Sequence, residues 1–129
     1  MKRDMDLVRE ILLGLEKTSL QPGEFLVFGA DDASMIDGYD ADECIYNLRL
    51  AIGAGLVQSS NDHGVAVVVN GLTWEGHDFL DQIRDPEIWR ITKEGAKKAG
   101  GFSFDLLAAL AKGFLKKKIE EHTGVQLDL

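Results

Sequence analysis

The chain has 129 residues, 45% of them hydrophobic, which suits one domain with one core. No apolar run approaches the ~20 residues of a membrane span, and MKRDMDLV at the start has no apolar stretch behind its basic pair, so no secretion signal is expected. The net charge of −8 is uneven: residues 1–88 hold 6 Lys/Arg against 17 Asp/Glu, residues 89–129 hold 8 against 5, and Arg49 is the only basic residue from Thr18 to Ile83. An acidic body of that kind is a poor polyanion binder.

The first helix is expected from Asp4 to Lys17, where Met5, Val8, Ile11, Leu12 and Leu15 recur at three- and four-residue spacing. Gln21-Pro22-Gly23 breaks it. Glu24–Phe28 reads as a short strand, and its unbroken apolar run predicts some cover on both faces. Ala30–Tyr39 is polar and acidic, with one helical turn expected around Ala33–Ile36. The next helix opens at Asp40, which with Glu43 has capping-box spacing. Its inner stripe is Ala41, Cys44, Ile45, Leu48 and Ile52, and Gly53 and Gly55 end it.

A hairpin should follow, with strands Leu56–Ser60 and Val65–Val69 about the turn Asn61–Gly64 and a bend at Asn70-Gly71. Thr73 is placed to cap the next helix. Gly76, Phe79, Leu80 and Ile83 share one face, and the missing side chain at Gly76 lets that helix approach the returning strand. Asp85-Pro86 starts another helix as N-cap and first residue, running to about Ala99. The last runs from Ser103 to about His122, with Phe102 and Leu107 at the staple positions.

The order helix, strand, helix, two-stranded wing, helix resembles winged-helix domains, and Leu72-Thr73-Trp74-Glu75-Gly76 resembles the LTxxG element that follows the wing in many winged-helix regulators. MKRDMDLVREILLGLE, YNLRLAIGAGLV and LTWEGHDFLDQIRD followed by IW resemble a family of short bacterial and phage proteins of unknown function. That resemblance implies a winged-helix-like fold and brings no substrate, cofactor or catalytic residue. The expected fold is therefore α+β: one winged-helix-like domain over 1–129, with a core at 1–84 and a two-helix extension at 85–129. A full second helix before the recognition helix is missing from the pattern, which departs from the usual plan for groove docking.

A recognition helix would expose Asp42, Glu43, Tyr46, Asn47 and Leu50, and Asn47 has the chemistry to read an adenine edge. Two acids near the phosphates and a single Arg49 argue against it, because DNA affinity rests on neutralising phosphates. His63, His77 and His122 lack metal-ligand spacing, and Cys44 on an inner stripe reads as a buried, inert thiol in a reducing cytoplasm. Gly53-Ala54-Gly55 follows a helix rather than a strand, so it is a helix end and not a phosphate cradle. Asp31, Asp32, Asp37, Asp40 and Asp42 lack calcium-loop spacing. Lys116, Lys117 and Lys118 point to different sides of a helix. No catalytic constellation and no cofactor is expected.

On the last helix, Phe104, Leu106, Leu107, Ala108, Leu110, Ala111, Phe114, Leu115 and Ile119 occupy an arc of roughly 220°, wider than the ~100° that one packed face needs. Leu106, Leu110 and Phe114 are therefore expected to be free for a homodimer, unless helix Pro86–Ala99 covers them. The function expected is that of a non-enzymatic bacterial or phage accessory protein working through protein contacts, with the wing and the acidic helix Asp40–Gly53 (Asp42, Glu43, Tyr46, Asn47 and Leu50) as interaction surfaces. The alternatives are a DNA-binding regulator and an acidic inhibitor that mimics nucleic-acid charge.

Overall fold

A computed structural model describes residues 1–29, 36–62 and 66–125. The expected turn at Ala33–Ile36 falls mostly outside them, as does the tip of the wing. The chain is α+β and divides into two compact units, Met1–Leu80 and Asp81–Leu129.

In the first unit, α1 (Met5–Glu16) is capped by Asp4, whose side chain accepts from the Leu7 amide, and buries Leu7, Val8, Ile11, Leu12 and Leu15. β1 (Leu26–Gly29) follows, then α2 (Ala41–Gly53), whose capping box is formed at both bonds. Asp40 accepts from the Glu43 amide at 2.8 Å, and the Glu43 carboxylate accepts from the Asp40 amide at 3.4 Å. α2 buries Cys44, Ile45, Asn47, Leu48 and Ala51.

The wing differs from the expected hairpin. Its first strand is broken into β2 (Val57–Gln58) and β3 (Asn61–Asp62), and the return into β4 (Ala66–Val69) and β5 (Gly71–Leu72). Asn61 and Asp62, expected in the turn, are strand residues. One register runs through both halves: Val57 pairs with Leu72, Gln58 with Gly71, Asn61 with Val68 and Asp62 with Val67. Ladder pairing lapses at Ser59-Ser60, where the chain bends at Ser60, although the Asn70 amide still donates to the Gln58 carbonyl at 2.8 Å. Gly71 takes φ 132°, a conformation that a Cβ would strain. β1 lies antiparallel to β4, giving the strand order β1-β4-β3.

Val67 and Val69 turn inward and are fully buried, whereas Phe25 and Val27 are 57% and 53% exposed. The apolar run at Phe25–Phe28 is thus covered on one face only, against the expectation of cover on both. The reason is the sheet's position: its inner residues Leu26 and Phe28 meet α1 and α2, while the outer side of β1 is left to solvent. α3 (Trp74–Ile83) begins in this unit and buries Gly76, Phe79 and Leu80.

In the second unit, α4 (Pro86–Lys98) and α5 (Phe104–Thr123) pack on each other. Asp85 caps α4 through the Glu87 and Ile88 amides, and its other oxygen meets Lys118 Nζ of α5 at 2.5 Å. The Lys118 hydrogen bond, helped by the Ile88 and Glu87 amides, holds the Asp85 carboxyl below its ordinary range. A carboxyl depressed in this way stabilises the folded state above its unfolded pKa, and that contribution disappears as pH falls through the folded one. Wild type is therefore expected to exceed Asp85→Asn in urea resistance at neutral pH, with the gap closing as the pH is lowered below the ordinary carboxylate range. Asn still caps the helix, so the comparison isolates the charge.

Thr92 of α4 is fully buried, and its Oγ1 has no hydrogen-bond partner among the described residues. Thr92→Val keeps the shape and removes the orphaned hydroxyl, so a stabilisation of about 1 kcal/mol in chemical denaturation is expected.

Candidate interaction surfaces

Four places in the first unit have the chemistry of contact surfaces: α2, the joint that carries Trp74, the outer sheet face, and a recess beside α1.

On α2, Asp42 is exposed, and Glu43, Tyr46 and Leu50 are half-buried. Asn47, expected on the exposed face, is instead 1% exposed. Its Oδ1 accepts from the Asp4 amide at 2.8 Å, and its Nδ2 donates to the Glu43 carbonyl at 3.0 Å. The Oδ1 bond ties the start of α1 to α2 and the Nδ2 bond stays within α2, so Asn47 is a buried structural clasp with no edge exposed to a base. Of the expected residues, Asp42 remains fully accessible and Glu43, Tyr46 and Leu50 in part.

The joint between the wing and α3 is built on Thr73. Its hydroxyl accepts from the Gly76 amide at 2.9 Å and donates to the Gly55 carbonyl at 2.6 Å. The Thr73 amide donates to the Leu56 carbonyl at 3.0 Å. One residue thus caps α3 and fastens it to the chain entering β2. The backbone lies so close there that a Cβ on Gly76 would fall 2.0 Å from the Leu56 carbonyl oxygen. Directly after the clasp, Trp74 is 78% exposed. On the outer face of the sheet, Val27 stands opposite the half-buried Val68, with Phe25 beyond it.

Tyr39 is half-buried in an open recess of about 510 Å³, lined also by Asp6, Glu10, Ile36 and Asp37. Burial, then the charges of Asp4, Asp6, Glu10 and Glu43, push its phenol above the ordinary range. Ile36 also lines a neighbouring apolar pocket of about 160 Å³, enclosed by Ile11, Gly14, Leu15, Thr18, Leu26, Phe28 and Leu48.

Cys44 is buried and His77 is exposed, and no group of His, Cys, Asp or Glu among the described residues is arranged to hold a metal. In the second unit, Leu106, Leu110 and Phe114 are half-buried rather than exposed. A Cβ on Gly95 of α4 would lie 3.4 Å from Leu110 and 3.9 Å from Phe114. α4 therefore covers part of the arc that had been expected to be free for a second copy. The contact leaves room for a methyl group at position 95.

The sequence from residue 2 to residue 103 matches the model of a family described as hypothetical protein (DUF2513). The chain belongs to this family. An uncharacterised protein of Haemophilus influenzae is 32% identical over 123 residues, spanning 92% of this chain and 99% of its own length. No solved structure matches the chain. No helix among the described residues is long and apolar enough to cross a membrane.

The outer face of β1, Trp74 and the Tyr39 recess were not picked out as contact sites from the sequence. The all-apolar run Phe25–Phe28 was the available signal for the first, since a strand without alternation beside a small sheet leaves an apolar face uncovered. The recess gathers side chains from α1 and from residues 36–39, and no local pattern announces it.

Proposed function

We propose that this DUF2513 protein is a non-enzymatic bacterial or phage accessory protein that works by binding another protein through its first unit. The observation that carries this reading is the uncovered outer face of β1, where Phe25 and Val27 are each more than half exposed. Large apolar side chains grouped on a polar surface mark partner contacts. Exposed Trp74 adds an aromatic of the kind enriched at interfaces. The acidic body favours a protein over a nucleic acid or an anionic membrane as partner. Self-association through α5 loses its main support, because α4 already takes up part of the face that a second copy would need.

The test is affinity capture from cells that carry the gene, using wild type and a Phe25→Lys/Val27→Lys double variant. A discrete protein retained by wild type and lost by the folded double variant supports the reading. Equal retention by both sinks it.

The DNA-binding alternative yields its own expectation. Arg49 is the only basic residue from Thr18 to Ile83, and Asn47 is consumed by the fold. Gel shifts with random duplexes and with the region around the gene should therefore show no submicromolar binding near physiological salt. Tight binding that falls steeply with salt would restore the regulator.

A further inference from the structure

The apolar pocket and the acidic recess meet at Ile36, and together they make a two-part socket on one side of the first unit. We propose that this socket receives a segment of a partner protein in which one large apolar side chain is flanked by lysine or arginine. The inference rests on the reading of Met1–Leu80 as a protein-docking unit, and it adds a second contact of defined chemistry.

Volume sets the apolar part. About 160 Å³ is far below the roughly 300–1,000 Å³ of small-molecule sites. It is close to the ~150 Å³ of an engineered apolar cavity that binds benzene. The pocket therefore has room for one phenyl or leucyl group. Its walls are aliphatic and aromatic side chains of α1, β1 and α2, and the Thr18 hydroxyl is turned to the Leu15 carbonyl at 2.6 Å.

Charge sets the flanks. The adjoining recess presents Asp6, Glu10 and Asp37 beside the Tyr39 phenol. Arg9 lies 3.5 Å from Glu10, yet burial and the charges of Asp4, Asp6, Glu10 and Glu43 still push the neighbouring Tyr39 phenol upward, so the recess is negative where it adjoins the pocket. A nucleic acid or an acidic segment would be repelled there, whereas a basic one gains on approach.

Gly14 keeps the pocket open. It lies within α1, where glycine costs about 1 kcal/mol relative to alanine. Nothing among the described residues demands it. Its φ lies outside the positive range, and a Cβ would meet only Ile36 Cδ1, at 4.0 Å. Any larger side chain there would stand at the pocket mouth. Packing gives no reason for this glycine, but an incoming side chain does.

The test uses ¹⁵N-labelled full-length protein and a short capped peptide with one Phe between pairs of lysines. Two control peptides carry Ala in place of Phe, or acetylated lysines. The expected result is a set of saturable shifts at Glu10, Ile11, Leu15, Leu26, Phe28, Ile36 and Tyr39. Either control should weaken binding by about tenfold or more. Gly14→Leu fills the mouth while favouring the helix, so it should abolish the shifts in a protein at least as stable as wild type. Phe25→Lys/Val27→Lys should leave them intact, which separates this socket from the sheet-face reading. Three results would each overturn the proposal: no saturable shifts, binding indifferent to lysine acetylation, or binding unchanged by Gly14→Leu. Of these, indifference to acetylation would point to a plain apolar ligand instead.

Discussion

Gly76→Ala is expected to destabilise the first unit by on the order of 3 kcal/mol or more, and Gly76→Val to abolish its cooperative unfolding. The cause is a single distance. A methyl group at position 76 would be placed 2.0 Å from the Leu56 carbonyl oxygen, and 2.9 and 3.3 Å from the carbonyl carbon and Cα of the same residue. All three atoms are backbone, so no rotamer change relieves the clash and α3 must move off the strand. Moving it also breaks the bonds from Thr73 to Gly55 and Leu56. Thr73→Ala removes only the hydroxyl and should cost about 1 kcal/mol, with Ser recovering most of it. Gly95→Ala is the control, because its new methyl group meets a flexible Leu110 side chain at 3.4 Å. It should be neutral or stabilise by about 0.5–1 kcal/mol. Urea denaturation of these variants measures the contrast. Similar midpoints for Gly76→Ala and Gly95→Ala would mean that the joint is looser than described.

The second large effect is expected at Asn47. Asn47→Ala should cost about 2–3 kcal/mol, because the Asp4 amide loses its acceptor and a buried side chain is truncated. Asn47→Asp should cost more. It keeps an acceptor but loses the donor to the Glu43 carbonyl, and it buries a negative charge near Asp4 and Glu43. A residue that merely read DNA bases from the surface would tolerate both changes in the free protein. Denaturation midpoints of the two variants therefore separate a clasp from a reading head, and unchanged stability would return Asn47 to the surface.

Periodicity and capping made much of the fold legible. The stripe Val8, Ile11, Leu12 and Leu15, the Asp40–Glu43 box and the Asp85-Pro86 start all declare themselves within about two turns of helix. A polar residue type suggests the outer face for Asn47, but its position in the helix does not. Cys44, Asn47, Leu48 and Ala51 fall at i, i+3, i+4 and i+7, so helical spacing places the asparagine on the inner face. A polar group is tolerated there because both halves of its amide are bonded.

The strand-like composition of Leu56–Ser60 and Val65–Val69 suggests two even strands for the wing. The lapse at Ser59-Ser60 combines a bend at Ser60 with Gly71 at φ 132° across the hairpin, which no single-strand pattern contains. The surface at β1 depends on which face of the sheet the helices cover. The socket depends on three elements meeting at Ile36. Both are tertiary facts without a local period.

The reading of the first unit as a protein-docking module is tested most directly by methyl NMR of the valines in a complex with the captured partner. The outer-facing Val27 and Val68 are predicted to shift or broaden on complex formation, while the buried Val67 and Val69 stay in place. Unperturbed Val27 and Val68 methyls in a saturated complex would contradict it.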